Sequence, residues 1–162
     1  MAEEGRKIGL AMDFSKGSKA ALKWALDGLI RKGDTLFIIH VMHPQALESR
    51  NLLWATSGSP LIPLGEFCDP EVRHGYGVEV EPDVLELLDL TCKQQEVNVL
   101  WKIYWGDARE KVCEAVLSYE LDALVMGSRG LGSIRRVLLG SVTSYVLEHA
   151  TCPVTVVKDR PH

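Results

Sequence analysis

LDALVMGSRGLGSIRRVLLGSVTSYVLEH, residues Leu121 to His149, decides how this chain folds. LDALVM (Leu121 to Met126) is an apolar run of buried-strand length, and Val142, Tyr145, Val146 and His149 recur at helical spacing downstream. Between them lie Gly127, Gly130 and Gly140, so the glycines occupy a strand-to-helix crossover. Glycine tolerates positive φ and lets main-chain N–H groups approach an anion with no side chain between. A helix beginning near Ser141 adds unpaired N–H groups and the positive end of its dipole. From Gly127 to Tyr145 the chain carries Arg129, Arg135 and Arg136 but no acid, against a net charge of −4 overall, which favours a bound polyphosphate. Ser141, Thr143 and Ser144 enrich the helix start in hydroxyls, and Gly140-Ser141 reads both as N-cap and as phosphate ligand. Plain chain reversal is the competing reading, because glycine-rich turns before helices are common in α/β proteins.

The same alternation extends outward in both directions. IGLAM (Ile8 to Met12), a helix from about Ser15 to Arg31, and TLFIIHV (Thr35 to Val41) form a strand–helix–strand unit. A helix from about Asp83 to Gln95 has Val84, Leu87, Leu88 and Thr91 on one face, and strand VNVLWKIYW (Val97 to Trp105) follows. Asp107 reads as the N-cap of a helix from Ala108 to Tyr119, with Val112, Ala115, Val116 and Tyr119 inward; PVTVV (Pro153 to Val157) closes the chain. Five strands with intervening helices predict an α/β fold with one doubly wound, mostly parallel sheet and helices on both faces. Ligands of such sheets bind beyond the carboxyl ends of the strands, at the switch point. Met12-Asp13 and Gly127-Ser128 can meet there only if their strands are neighbours, and that adjacency is the main structural expectation.

The segment from Met42 to Glu81 is long and rich in Pro and Gly. SPLIPLGEF (Ser59 to Phe67) is apolar enough to pack on the body, as a partly ordered lid or interface arm; a mobile surface insertion is the alternative. With 162 residues the chain fits a single domain spanning 1–162, this insertion at about 42–81 included. Its mild acidity argues against a nucleic-acid or anionic-membrane binder. The start, MAEEGRK, lacks the apolar core of a signal peptide, and no apolar run approaches the roughly 20 residues needed to span a bilayer. A cytoplasmic location is therefore expected, with the nucleus open. Cys68, Cys92, Cys113 and Cys152 form no C-x-x-C pair, which speaks against a zinc site and a disulfide framework. Cys68, in the irregular segment, is the candidate reactive thiol, and the other three read as core filler. His40 and His43 fall on alternating faces of a strand end, which disfavours metal ligation, and Trp24, Trp101 and Trp105 are assigned to packing.

AMDFSKGSKAALKWAL, the strand end HV, YWGDAREKVCEAV and GSRGLGSIRRVLLGSVTSYVLEHATCPVTVVK resemble the universal stress protein family, plant type, over nearly the whole chain. The most specific part is the nucleotide motif G-x-x-G-x(9)-G-[ST], met by Gly127, Gly130, Gly140 and Ser141 without departure in spacing. The resemblance implies a Rossmann-like sheet of the adenine nucleotide alpha hydrolase type that binds ATP, ADP or AMP, with Mg²⁺ held through the phosphates. Carried over by position, Ala11, Met12, Asp13 and Ser15 surround the nucleoside end, where Asp13 hydrogen-bonds the adenosine moiety and Val41 meets adenine through its backbone. Met126 and Gly127 lie under the ribose. Gly130, Gly140, Ser141 and Val142 present N–H groups, and Ser141 and Thr143 hydroxyls, to the phosphates; Arg129 adds a charge-assisted contact, and Ser128 belongs to the same nucleotide-binding set. Arg135 and Arg136 read as solvated surface. The family also implies a homodimer through the last strand, Val154, Thr155, Val156 and Val157.

No Walker A lysine pattern, G-x-S-x-G elbow or acid-base pair accompanies the cradle. The reading is a nucleotide-dependent stress-response protein, regulatory or protective. The alternatives are a slow Mg²⁺-dependent ATPase and a chaperone-like interaction protein with incidental nucleotide binding.

Overall fold

The computed structural model describes residues 5–46, 49–128 and 139–158. Arg129, Gly130, Arg135 and Arg136, which carry part of the expected anion site, lie outside the described residues.

β1 (Lys7–Ala11) leads to α1 (Lys16–Trp24), which widens into a π-type turn at Ala25–Leu29 before β2 (Thr35–Met42). The expected irregular segment holds two 3-10 turns (Pro44–Ala46 and Ser49–Trp54), β3 (Ile62–Pro63), α2 (Leu64–Phe67) and α3 (Pro70–Tyr76). Then come α4 (Pro82–Gln95), β4 (Asn98–Trp105), α5 (Ala108–Ser118), β5 (Ala123–Gly127), α6 (Ser141–His149) and β6 (Val154–Val157). The sheet runs β3-β4-β2-β1-β5-β6, and every pair is parallel except β3 with β4. Six strands are described where five were expected. The extra one, β3, is two residues long and too short to show a period; Pro63 confines it to the sheet edge, where a missing N–H costs nothing.

Strand residues divide between two buried clusters, one on each face, which explains why the strands read as nearly continuous apolar runs. Ile8, Leu10, Leu36, Ile38, Trp101 and Ile103 pack on one side with Ala21 and Leu22 of α1 and Leu88 of α4. Phe37, Ile39, Tyr104, Leu124 and Met126 pack on the other with Val112, Ala115 and Val116 of α5 and Val146 of α6. Trp101 and Trp105 are buried as expected, but Trp24 is 42% exposed, at the margin of the α1 stripe Gly17, Ser18, Ala21, Leu22. Cys68 is exposed, while burial pushes up the pKa of the half-buried Cys92, Cys113 and Cys152 thiols. Among the described residues no helix is long and apolar enough to cross a membrane.

The apolar part of the insertion is docked. Ile62, Leu64 and Phe67 are buried, and Phe67 stacks on Trp101 with ring centroids 4.2 Å apart. Ser59 is bound to β4 through its N–H to the Ile103 carbonyl (2.8 Å) and its hydroxyl oxygen, which accepts from the Ile103 N–H (3.0 Å). The buried Lys102 ammonium donates to the Ser59 carbonyl and lies over the Tyr104 and Tyr119 rings, while Lys111 reaches the Thr56 carbonyl at 2.9 Å. Gly58 (φ 79°) makes this fit: a Cβ there would stand 2.8 Å from the Ile103 oxygen.

Candidate functional site

β1 and β5 are neighbours, in register from Ile8 opposite Ala123 to Leu10 opposite Val125, so Met12-Asp13 and Gly127-Ser128 emerge side by side. The expected adjacency is present. Beyond these ends opens a cleft of about 660 Å³, counting the part open to solvent. Its walls include Ala11, Met12, Asp13, Ser15, Val41, Met126, Gly127, Gly140, Ser141, Val142 and Thr143. Ser128 is not among them: it is buried, its N–H donates to Val157 O (3.0 Å) and its carbonyl accepts from Gly140 N (2.7 Å). Four further wall residues went unrecognised in the sequence, Ser18, Ile39, Ala108 and Val112. Ser18 follows Ser15 by three residues and Ile39 precedes Val41 by two, so each shares a wall with an expected neighbour. Ala108 and Val112 come from α5, whose approach is a property of the tertiary fold.

The half of the cleft at the tips of β1 and β2 is preorganised. Ser15 caps α1 by accepting from Ser18 N–H (3.2 Å), while its own N–H donates to the Asp13 carboxylate (3.0 Å), as does its hydroxyl. Asp13 is thereby oriented, and capping falls to Ser15. Ile39, Val41, Ala108, Val112 and Met126 give this half an apolar lining.

The end of β2 exposes backbone. The Ile39 carbonyl accepts from Met12 N–H (2.8 Å), so residue 39 turns its polar edge toward β1, and in a parallel ladder residue 41 does the same. Register between β1 and β2 ends at Ala11 opposite Ile39. Among the described residues the Val41 N–H and carbonyl have no partner on that side, and Val41 lines the cleft. The Met12 carbonyl is bound instead by His40 Nδ1 at 2.7 Å. Burial lowers the His40 pKa; the Met12 bond and the Asp13 charge oppose this without cancelling it. His43 Nδ1 accepts from Gln45 N–H.

The opposite half is built on α6. Gly140 is its N-cap, at φ −67° and ψ 159°, and among the described residues no side chain caps the helix. A helix cannot satisfy its own first-turn N–H groups, which makes such a start a ready place for an anion. Two expectations change here. The Thr143 hydroxyl donates to the Gly127 carbonyl at 2.9 Å and has no proton to offer a phosphate; only its amide remains. Neither Gly127 nor Gly140 is among the glycines with positive φ. Gly127 is required by packing, because a Cβ would stand 2.7 Å from the Gly17 carbonyl of α1.

A cleft joining an apolar slot, an exposed strand edge and a helix start is accompanied by a family match: the model of the universal stress protein family fits residues 5–158. The chain belongs to the universal stress protein family. Universal stress protein PHOS34 of Arabidopsis thaliana is 34% identical over 167 residues, covering 94% of this chain and 62% of its own length. The chain spans 62% and 64% of the curated relatives PHOS34 and PHOS32. A universal stress protein of Thermus aquaticus is 38% identical over 155 residues, covering 94% of this chain and 98% of its own. The crystal structure of a universal stress protein family member from Arabidopsis thaliana with AMP bound superposes with a TM-score of 0.59 at 23% identity, covering 96% of this chain and 92% of that one. Fold and family thus agree.

Proposed function

We propose that this universal stress protein binds an adenine nucleotide, ATP, ADP or AMP, and acts as a nucleotide-responsive regulatory or protective protein. The observation that carries the reading is the meeting, in one cleft, of the Val41 backbone edge with the start of α6, neither of them capped or paired there among the described residues. Val41 offers one donor and one acceptor side by side, complementary to N1 and the N6 amino group on the pairing edge of adenine. Ile39, Met126, Ala108 and Val112 pack against the faces of the base, Asp13 hydrogen-bonds the adenosine moiety, and the amides of Ser141, Val142 and Thr143 receive phosphate. AMP bound to the Arabidopsis family member supports the ligand class.

Hydrolysis in this site is slow. Asp13 is the one titratable side chain among the described wall residues, its carboxylate is engaged by Ser15, and it belongs to the nucleoside end. Among the described wall residues none is placed to orient a water toward a terminal phosphate, and any Mg²⁺ would be held through the phosphates themselves. A chaperone-like role through Ser59 to Phe67 is disfavoured, since Ile62, Leu64 and Phe67 are buried. β6 ends the sheet, and two copies pair through it as a homodimer.

Calorimetry tests the reading. AMP, ADP and ATP are expected to bind, GMP about tenfold or more weakly, and Gly140→Glu to abolish binding while keeping its thermal transition. The backbone at φ −67° accepts a glutamate, whose carboxylate then repels the phosphate. No heat with any adenylate, or unchanged affinity in Gly140→Glu, overturns the assignment. Phosphate release that disappears in the same variant would favour the slow ATPase.

A further inference from the structure

We propose that His40 is a positioning residue for the base-reading edge: by holding the Met12 carbonyl, it keeps the Val41 N–H unpaired and available to a ligand. The inference rests on the adenine reading above and assigns part of its specificity to a side chain outside the cleft wall.

A parallel ladder alternates strictly. Met12 N–H donates to the Ile39 carbonyl at 2.8 Å, which makes Val41 N–H the next donor and the Met12 carbonyl its natural acceptor. That bond is not made. The carbonyl binds His40 Nδ1 at 2.7 Å, so Nδ1 carries the proton of a neutral imidazole, consistent with a buried ring whose pKa is lowered. The imidazole is held in place by Phe14, edge-on with centroids 5.0 Å apart, and Phe14 in turn lies parallel to Trp101 at 6.2 Å. Phe14 sits at φ 62°, a conformation an aromatic side chain seldom adopts, right where β1 leaves the sheet. The chain therefore stops pairing one bond early, at the residue whose amide faces the cleft. Remove the imidazole, and the Met12 carbonyl regains the Val41 N–H as its partner: the sheet gains one bond and the ligand loses one.

Two measurements separate this from the reading it rests on. Hydrogen exchange on the ligand-free wild type should show a Val41 amide exchanging much faster than that of Ile39; a protected Val41 amide overturns the inference before any variant is made. In His40→Leu the Val41 amide should become protected, and AMP affinity should fall about tenfold, the scale of one hydrogen bond. His40→Asn, whose amide nitrogen occupies the chain position of Nδ1, should restore both the fast exchange and the affinity. If the wild type binds AMP and His40→Leu binds it equally well, the inference fails and the adenine site stands. If the wild type binds no adenylate, the adenine reading fails and takes the proposed role with it, whatever the Val41 exchange rate.

Discussion

The Thr143 hydroxyl donates to the Gly127 carbonyl oxygen across 2.9 Å, joining the first turn of α6 to the last residue of β5. This bond closes the glycine loop at its base, beside the second closure from Gly140 N–H to the Ser128 carbonyl at 2.7 Å. The two together set the α6 amides at a fixed height above the sheet.

Thr143 is buried, so Thr143→Val preserves its shape and leaves the Gly127 carbonyl unsatisfied, at a cost of about 2 kcal/mol. Urea unfolding should show that loss. Thr143→Ser, which keeps the donor, should lose about half as much or less. Equal stability of Thr143→Val and wild type would show that the bond does not hold the loop.

Gly127→Ala places a methyl group 2.7 Å from the Gly17 backbone of α1. Backbone cannot yield as a flexible side chain does, and overpacking of this kind costs about 1–3 kcal/mol. The expected outcome is a lowered thermal midpoint even without ligand. A variant of wild-type stability whose only defect is in binding would return Gly127 to a purely ligand-facing role.

His40 gives stability an acid dependence. Its folded-state pKa is lowered, so below about pH 6.5, the unfolded value, the unfolded chain takes up a proton that the folded one refuses. Stability should fall as the pH drops from there toward the folded-state pKa and level off below it. In His40→Asn that part of the slope should vanish, while contributions from carboxylates remain. Urea midpoints measured between pH 7 and pH 5 test this, and identical slopes would contradict it.

Leu124 and Ser128 donate to the Pro153 and Val157 carbonyls, which turns residues 153, 155 and 157 of the last strand toward β5. The outward edge therefore belongs to Val154 and Val156. Val156→Pro should leave the sheet intact and yield monomers in ultracentrifugation, because it removes an edge donor. Thr155→Pro should destabilise the fold instead. A dimer that survives Val156→Pro would place the interface elsewhere.

Much of this was legible in the sequence, for identifiable reasons. LDALVM, TLFIIHV and the stripe Val112, Ala115, Val116 are long or periodic enough to declare their type, and three glycines and a serine at family spacing marked the α6 start. Asp107 caps α5 as expected, accepting from Arg109 N–H at 2.9 Å. What stayed hidden depends on contacts distant in sequence. Ile62-Pro63 is a strand only because β4 lies beside it, and Gly127 meets Gly17 across 110 positions. Thr143 looked like a phosphate donor because residue type says nothing about which carbonyl a hydroxyl faces. Ala108 and Val112 reach the cleft through the packing of α5 on the sheet, which no local pattern encodes.

The central claim is that one ligand is held at both ends, by Val41 and by the first turn of α6. Amide chemical shifts of the ¹⁵N-labelled protein titrated with AMP test it most directly. The expected result is large, concerted shifts at Val41, Ser141, Val142 and Thr143 that saturate with a single affinity. Shifts confined to one of these two places, or clustered away from both, would contradict it.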